Sequence, residues 1–285
     1  MNIDKYLEDK RKIIDEALDK CLPKETEYPQ TLHKAMRHSL FAGGKRLRPI
    51  LALAIAEMYG CPIEKVLPFA CSVEILHSGS LVFDDLPPID NANLRRNKPT
   101  CHRIYGDGIA MIACYSMITQ AFKIISEMNM IPEEKVQLIN ILSTETSSIH
   151  MPGGEAVELI TKRNKTTRQI IEYIYRNKTS SLFVVAFVGT GIICNLDNAK
   201  LKNLKESAVD FGIAFQIRDD IIDAEHSEES AGKDVRQDDN KPTFINHLGV
   251  EKSRAILQAK YECATKNISQ GSNLAKIMKM VLKIE

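Results

Sequence analysis

Residues 83–96 read FDDLPPIDNANLRR and place three aspartates around a pair of prolines. Proline cannot continue a helix interior, so Pro87 and Pro88 predict that the preceding helix ends near Leu86. On an unbroken helix Asp84 and Asp90 would face different ways, whereas a turn after Leu86 returns Asp90 towards Asp84. The stretch therefore predicts a carboxylate cluster at a helix carboxyl end. The helix dipole disfavours negative charge there, and a bound cation would offset that cost.

A second acidic cluster lies at Phe215–Asp223, FQIRDDIID. On a helix, Asp219 and Asp223 are one turn apart, and Gln216 lies one turn before Asp219. Three carboxylates so close repel one another unless a cation compensates. Hard oxygen ligands suit Mg²⁺ bound jointly by the protein and a substrate phosphate. The alternative interpretation of this cluster, taken alone, is a solvated helix end.

Basic residues accompany both acidic clusters. Ala42–Pro49 reads AGGKRLRP, where two glycines allow close backbone approach and Lys45 and Arg48 are three residues apart. Taken singly, each basic side chain would be interpreted as a surface residue. Taken with two acidic clusters, they predict a site for two phosphorylated substrates, one held through Mg²⁺ and the other directly by lysine and arginine. The further basic candidates are Arg95, Arg96, Lys178, Lys233 and Lys241.

The composition favours a cytoplasmic protein. The 285 residues carry a net charge of +1, so nothing global predicts binding to nucleic acid or to an anionic membrane surface. Seven widely spaced cysteines without a CxxC pair suit a reducing compartment. The charged N-terminal stretch is unlike a signal peptide, and the longest apolar run, Leu182–Cys194, is too short to span a bilayer. We therefore expect a soluble protein without membrane insertion.

Apolar residues recur at helical spacing through most of the chain. The periodicity predicts helices at Arg48–Tyr59, Leu67–Leu86, Gly108–Met128, Pro132–His150, Arg168–Cys194 and Ala199–Ala224. Several of these segments are apolar on nearly every face, which indicates a buried central layer. Alternating β-type stretches and Asn-Gly hairpin signals are absent. No linker or repeat divides the sequence, and we expect one all-α domain over residues 1–285.

Together these motifs resemble those of the trans-prenyl diphosphate synthases. GGKRLRP, DDLPPID with LRRNKPT, NKTSSLF and FQIRDDIID stand in that family's order and cover residues 33–250. The four together are specific, although DDxxD alone is not. The spacing of Gly232–Gly249 is most similar to the bacterial carotenoid-pathway geranylgeranyl diphosphate synthases. The resemblance implies the isoprenoid synthase fold, a bundle of many long helices around a central cavity, and a homodimer.

The resemblance also implies roles for individual residues. Two facing sets of aspartates would bind Mg²⁺ and an allylic diphosphate, namely Asp84, Asp85 and Asp90 with Asp219, Asp220 and Asp223. The same diphosphate would be held by Arg95, Lys178 and Lys233, and isopentenyl diphosphate would be held by Lys45, Arg48, His77 and Arg96. Thr179 and Gln216 would lie beside the reacting carbons and act with Lys178 in catalysis.

The implied reaction is chain elongation by prenyl transfer. Metal ions and cationic side chains stabilise the leaving diphosphate, so the C–O bond of dimethylallyl, geranyl or farnesyl diphosphate ionises. The carbocation alkylates isopentenyl diphosphate held alongside, and a proton leaves to the departed diphosphate.

Small residues upstream of Asp84 bear on product length. In related farnesyl-making enzymes an aromatic side chain commonly stands at the position of Gly79, and here Gly79 and Ser80 are both small. This predicts growth to twenty carbons, to geranylgeranyl diphosphate, with Leu76 or Met117 as deeper stops. The alternative interpretation is that Gly79 only lets two helices pack closely. Glu155 and Glu158 depart from the family pattern, since they stand where Gln and Asp are usual.

Three other functions remain open at this point. The protein could be a farnesyl diphosphate synthase, or a class I terpene cyclase, which would have no use for GGKRLRP. A non-catalytic regulatory subunit of a heteromeric prenyl synthase is the alternative from another class, although such a subunit would be expected to lose metal ligands.

Overall fold

The structure is a computed structural model that describes residues 2–161, 166–229 and 241–284, except for the side chains of 226–229. Within these ranges the regular structure is helical apart from one short antiparallel hairpin, β1 (Leu94–Arg95) with β2 (Lys98–Pro99). The first seven helices are α1 (Ile3–Cys21), α2 (Gln30–Leu40), α3 (Leu47–Met58), α4 (Ile63–Asp84), α5 (Cys101–Tyr105), α6 (Asp107–Glu127) and α7 (Pro132–Glu145). The remainder are α8 (Met151–Ile160), α9 (Arg168–Ile174), α10 (Ser181–Ile193), α11 (Asn198–Glu229), α12 (Phe244–Leu248), α13 (Val250–Thr265) and α14 (Asn273–Leu282). The all-α prediction is confirmed.

The chain divides into two compact units. Unit 1 comprises Met1–Ile139 and Ile192–Cys194, and unit 2 comprises Asn140–Gly191 and Asn195–Glu285. In unit 1, α4 packs against α3 and α6, and in unit 2, α11 packs against α13. The expectation of one domain around a central cavity stays a prediction.

Helices α4 and α6 are each long and apolar enough to cross a membrane by length and composition alone. The core helix of a soluble protein passes the same test, and 67% of the apolar window of α4 is buried within the protein. The corresponding share for α6 is 39%, because Met111, Ile112 and Tyr115 are exposed on one of its faces. Helix α4 is therefore a core helix, and α6 has an apolar face that its own unit leaves uncovered.

Two predicted helices are interrupted in the structure. The segment predicted at Arg168–Cys194 contains a π-helical turn, Tyr175–Thr179, between α9 and α10. The segment predicted to reach His150 ends at Glu145, and the backbone N–H of Thr146 still donates to the carbonyl of Leu142 at 3.1 Å. Thr146 Oγ1 donates to the carbonyl of Leu142 at 2.7 Å. Apolar periodicity predicts neither the π-helical turn nor the end of α7, since buried residues occur on both sides of each break.

The core of unit 2 fixes the helix that carries the second acidic cluster. Phe183 of α10 contacts the rings of Phe211 and Phe215 of α11 edge-on, with centroids 5.0 and 5.5 Å away. Such aromatic pairs contribute about 0.5–1.5 kcal/mol each beyond their buried area. Phe215 lies one turn before Asp219, so this packing sets the orientation of the cluster.

Candidate active site

The first acidic cluster is built by the turn that follows α4. The helix ends at Asp84, and the backbone N–H of Asp90 donates to the carbonyl of Asp84 at 3.0 Å. The N–H of Ala92 donates to the carbonyl of Asp85 at 3.2 Å. The predicted return of Asp90 towards Asp84 is therefore confirmed. Asp90 is exposed and Asp84 half-buried, so both can meet a ligand from solvent.

The side chain of Asp85 is buried and ion-paired. Arg95 Nε and Nη2 each lie 2.7 Å from Asp85 Oδ1. Burial raises the pKa of Asp85, and the hydrogen bond and charge of Arg95 oppose that rise. Arg95, expected from the resemblance to hold a diphosphate, is thus anchored to the acidic turn itself.

The glycine pair of the basic loop makes room for Arg96. The residue lies at the tip of the β1–β2 hairpin with a φ of 55°, and its Nη1 donates to the carbonyl of Gly43. A Cβ on Gly44 would lie 2.6 Å from the guanidinium carbon of Arg96. The glycines do allow a close approach, and what approaches is an arginine of the same unit.

Arg48 and His77 form a second basic pair in unit 1. Arg48 Nη1 donates to His77 Nε2 at 3.1 Å. Burial and the charges of four arginines hold the pKa of His77 well below its ordinary value of 6.5. The imidazole is consequently neutral at pH 7 and accepts the hydrogen bond. Lys45, in the same basic loop, is exposed.

Arg46, which the sequence analysis passed over, holds this loop in place. Its side chain is 3% exposed and bonds Asp15 Oδ1 at 2.7 Å and Glu74 Oε1 at 3.1 Å. Its φ of 51° is left-handed, an uncommon conformation for a residue with a Cβ. The available signal was Glu74, an acid in the middle of α4 with apolar residues on both sides.

In unit 2, a chain of hydrogen bonds links the π-helical turn to the second acidic cluster. Thr179 Oγ1 donates to Gln216 Oε1 at 2.7 Å, and Gln216 Nε2 donates to Asp220 Oδ1 at 3.0 Å. The hydroxyl of Tyr175 donates to Asp220 Oδ2. Tyr175 was missed because the wide π turn shifts its side chain from the face that α-helical spacing predicts. Thr179 and Gln216, which were predicted to act together, are in direct contact.

Asp220 is the most perturbed acid of this cluster. Burial raises its pKa to about 7, opposed by hydrogen bonds from Tyr175 and Gln216 and assisted by the charges of Asp219 and Asp223. Asp219 is 36% exposed and Asp223 is exposed. Two accessible carboxylates beside a third whose pKa is raised form an arrangement that a cation would stabilise.

Lys178 is held by the two acids that depart from the family pattern. Its Nζ lies 2.7 Å from Glu155 Oε2 and 2.5 Å from Glu158 Oε2. Burial alone would lower the pKa of Lys178, but the two carboxylates raise it overall. Gly154 lets α8 lie directly on the backbone of the π-helical turn, because a Cβ at this position would collide with the backbone nitrogen of Lys178.

The predicted site residues thus form two groups. Unit 1 contains Lys45, Arg48, His77, Asp84, Asp85, Asp90, Arg95 and Arg96. Unit 2 contains Lys178, Thr179, Gln216, Asp219, Asp220 and Asp223, as well as the exposed Lys241. Lys233 lies outside the described residues.

The model of the family described as polyprenyl synthetase matches residues 29–281 of the chain. The chain belongs to the polyprenyl synthetase family. A farnesyl diphosphate synthase of Geobacillus stearothermophilus is 34% identical over 99% of this chain and 97% of its own. A geranylgeranyl diphosphate synthase of Cyanophora paradoxa is 34% identical over 88% of this chain and 85% of its own.

A solved structure supports the same assignment. The crystal structure of an FPP/GFPP synthase from Zymomonas mobilis superposes with a TM-score of 0.84 at 30% identity, covering 99% of this chain and 98% of that one. This polyprenyl synthetase is a trans-prenyltransferase of the farnesyl/geranylgeranyl diphosphate synthase type.

The acidic residues of this polyprenyl synthetase fit Mg²⁺ by their chemistry, since accessible carboxylate oxygens are the hard ligands that this ion prefers. Within the described ranges, no group of three or more His, Cys, Asp or Glu side chains is placed to hold a metal ion by itself. Mg²⁺ bound through one or two carboxylates, with substrate phosphate and water completing its shell, is consistent with both observations.

Proposed function

We propose that this polyprenyl synthetase condenses isopentenyl diphosphate with dimethylallyl, geranyl or farnesyl diphosphate, and that its main product is geranylgeranyl diphosphate. The observation that carries two-substrate elongation is the pair formed by Arg48 of the basic loop and Arg96, which contacts that loop from the β1–β2 hairpin. Arg48 bonds a neutral histidine and Arg96 lies over Gly44, whereas Arg95 is committed to Asp85. A cationic group built separately from the acidic turn supports a second diphosphate bound without metal.

The aspartates and Lys178 act on the allylic substrate in this proposal. Asp84, Asp90, Asp219 and Asp223 hold Mg²⁺, which supplies positive charge to the leaving diphosphate when bound. Arg95 and Lys178 contact the same diphosphate, as does Lys233. The buried Asp85 orients Arg95, and Asp220 orients Gln216.

Isopentenyl diphosphate is held by Lys45, Arg48, His77 and Arg96. Because His77 is neutral, its Nε2 accepts a hydrogen bond from Arg48, and this bond orients the Arg48 guanidinium. The Thr179–Gln216 pair lies beside the reacting carbons and presents oxygen dipoles to the developing cation. The departed diphosphate takes the proton, so no side chain need act as nucleophile.

We propose that Ser80, and not Gly79, forms the floor that limits product length. Gly79 is buried, and a Cβ there would lie 3.0 Å from Met117 Cβ and 3.4 Å from the carbonyl oxygen of Cys114. This geometry supports the alternative that Gly79 lets α4 and α6 pack closely. Ser80 is partly accessible and also small, so the absence of a bulky residue there supports a twenty-carbon product. A fifteen-carbon product is the second candidate, since the farnesyl diphosphate synthase of Geobacillus stearothermophilus is also 34% identical to this chain.

A homodimer and a cytoplasmic location complete the proposal. The apolar face of α6 that carries Met111, Ile112 and Tyr115 supports docking of a second copy, because exposed apolar patches mark interaction sites. Both acidic clusters are intact, which argues against a non-catalytic subunit. The separate arginine pair argues against a terpene cyclase, which ionises a single substrate.

The test is to incubate the purified chain with Mg²⁺, isopentenyl diphosphate and each allylic partner, and to size the dephosphorylated products by chromatography. Twenty-carbon alcohol as the main product supports the proposal. Fifteen-carbon alcohol selects the second candidate. Cyclic hydrocarbon from one substrate, or no turnover, would overturn elongation.

A further inference from the structure

A cavity of about 260 Å³ lies in unit 2 beside α11, α13 and the end of α14. None of the predicted site residues lines it, although Arg218, Ile221 and Ile222 belong to the FQIRDDIID segment. Its floor is apolar, formed by the buried side chains of Ile221, Leu257 and Leu282. This volume is close to the lower end of the range of about 300–1,000 Å³ for small-molecule sites, so it suits a short ligand.

The edge of this cavity is cationic. Arg218, Arg254 and Lys283 line it together with one acid, Glu225. Arg254 pairs with Glu225, but both side chains are about half exposed, so the pair is weak and open to competition by an anion. The Nε of Arg218 is buried and, within the described part of the chain, has no hydrogen-bond partner. An anion at the edge would satisfy it.

We propose that this cavity is a second binding site for a short prenyl diphosphate, separate from the catalytic residues. An apolar floor below three cations calls for an amphiphilic anion, with a hydrocarbon body and a charged head. The allylic substrates and short products of this enzyme are amphiphilic anions of that form. An uncharged hydrocarbon alcohol, or a bare phosphate, would use only half of the site.

Arg218 connects this cavity to the second acidic cluster, because its Nη1 is ion-paired with Asp219 Oδ1. An anion in the cavity attracts the guanidinium away from Asp219 and leaves that carboxylate with more negative charge for Mg²⁺. A bound prenyl diphosphate therefore lowers the Mg²⁺ concentration needed for half-maximal activity. This second step rests on the proposed metal role of Asp219, whereas binding to the cavity does not.

The binding test uses the full chain in EDTA, where attachment through metal is removed, and measures geranyl diphosphate by calorimetry. Geraniol and inorganic pyrophosphate are the two half-ligands, and each should bind at least about 10-fold more weakly than the whole molecule. Arg254→Gln should weaken binding about 10-fold through the lost charged hydrogen bond, with Lys283→Gln as a second variant. Arg168→Gln, in an exposed arginine–glutamate pair of the same unit, is the matched control.

Two results would overturn the site: pyrophosphate that binds as well as geranyl diphosphate, or equal affinity in wild type, Arg254→Gln and Lys283→Gln. The coupling is read separately from Mg²⁺ titrations of activity at increasing geranyl diphosphate. Because the substrate diphosphate also binds Mg²⁺ at the active site, the half-maximal Mg²⁺ concentration should fall in both proteins, and a steeper fall in wild type than in Arg254→Gln supports the coupling. Intact binding with no such difference overturns the coupling alone.

Discussion

The Nζ of Lys178 lies 2.7 Å from a carboxylate oxygen of Glu155, in the π-helical turn that also presents Thr179. Glu158 binds the same ammonium from the next turn of α8. The lysine expected to hold the allylic diphosphate is thus balanced by two acids, and any substrate diphosphate must compete with them for its charge.

This competition predicts opposite effects of two substitutions. Lys178→Gln should raise the KM for the allylic substrate about 10-fold, since a charge-assisted hydrogen bond is lost. Glu155→Gln keeps the packing of α8 but removes one competing charge, so it should lower the same KM. Steady-state kinetics with geranyl diphosphate measures both. KM changes of the same sign in the two variants would contradict the proposed role of Lys178.

The proposed metal ligands predict a large loss of turnover. Asp84→Asn and Asp219→Asn should each lower kcat roughly 100-fold or more, because charge stabilisation of the leaving diphosphate is lost. The control is Asp210→Asn, which should retain most activity. Asp210 lies on the same helix as Asp219 and is paired with Lys260 of α13. Near-normal kcat in both metal-site variants at saturating Mg²⁺ would remove the mechanism.

The two diphosphate sites predict a selective effect at Arg48. Arg48→Ala should raise the KM for isopentenyl diphosphate about 10- to 150-fold and that for the allylic substrate far less. Arg11→Ala, an exposed arginine of α1, is the control. Equal shifts in both KM values would show that the basic loop does not discriminate between the substrates.

The depressed pKa of His77 predicts a dependence of stability on pH. The unfolded chain takes up a proton on this ring below its ordinary pKa of 6.5, and the folded protein does so only at lower pH. Stability is therefore lost as pH falls below 6.5, by up to about 1.4 kcal/mol per pH unit.

His77→Gln removes this proton uptake, so the difference in unfolding free energy between wild type and variant should shrink as pH falls from 7 to 5. Urea unfolding at each pH provides the measurement. His247→Gln, on the exposed end of α12, is the control. A difference that does not change with pH would contradict the neutral state of His77.

The contact between Gly79 and Met117 predicts that the two positions upstream of Asp84 respond differently. Gly79→Phe would force α4 and α6 apart, costing about 1–3 kcal/mol or more, and should lower the melting temperature. Ser80→Phe should fold normally and shift the product towards fifteen carbons. Thermal unfolding measures the effect of Gly79→Phe on stability, and chromatography of the products measures the effect of Ser80→Phe on chain length. An unchanged twenty-carbon product in active Ser80→Phe would reject Ser80 as the floor.

Local chemistry determined much of the first acidic cluster. Two prolines end α4 and return Asp90 to Asp84, because loss of the backbone N–H and the fixed φ act within a few residues of chain. The glycine pair similarly predicted a close approach to the basic loop. Apolar periodicity predicted an all-α protein, since a 3.6-residue repeat leaves a regular mark on the sequence.

Only the tertiary structure decided which partner each charged residue has. Ion pairs such as Arg46 with Glu74, Lys178 with Glu155 and Asp85 with Arg95 depend on which segments pack together in three dimensions, and each charge alone is equally compatible with solvent. The role of Gly79 also stayed open, because a glycine can line a cavity or allow a close helix contact. Only its neighbour in space distinguishes the two roles. The distance to Met117 identifies it as a helix contact, since a Cβ there has no free space to occupy.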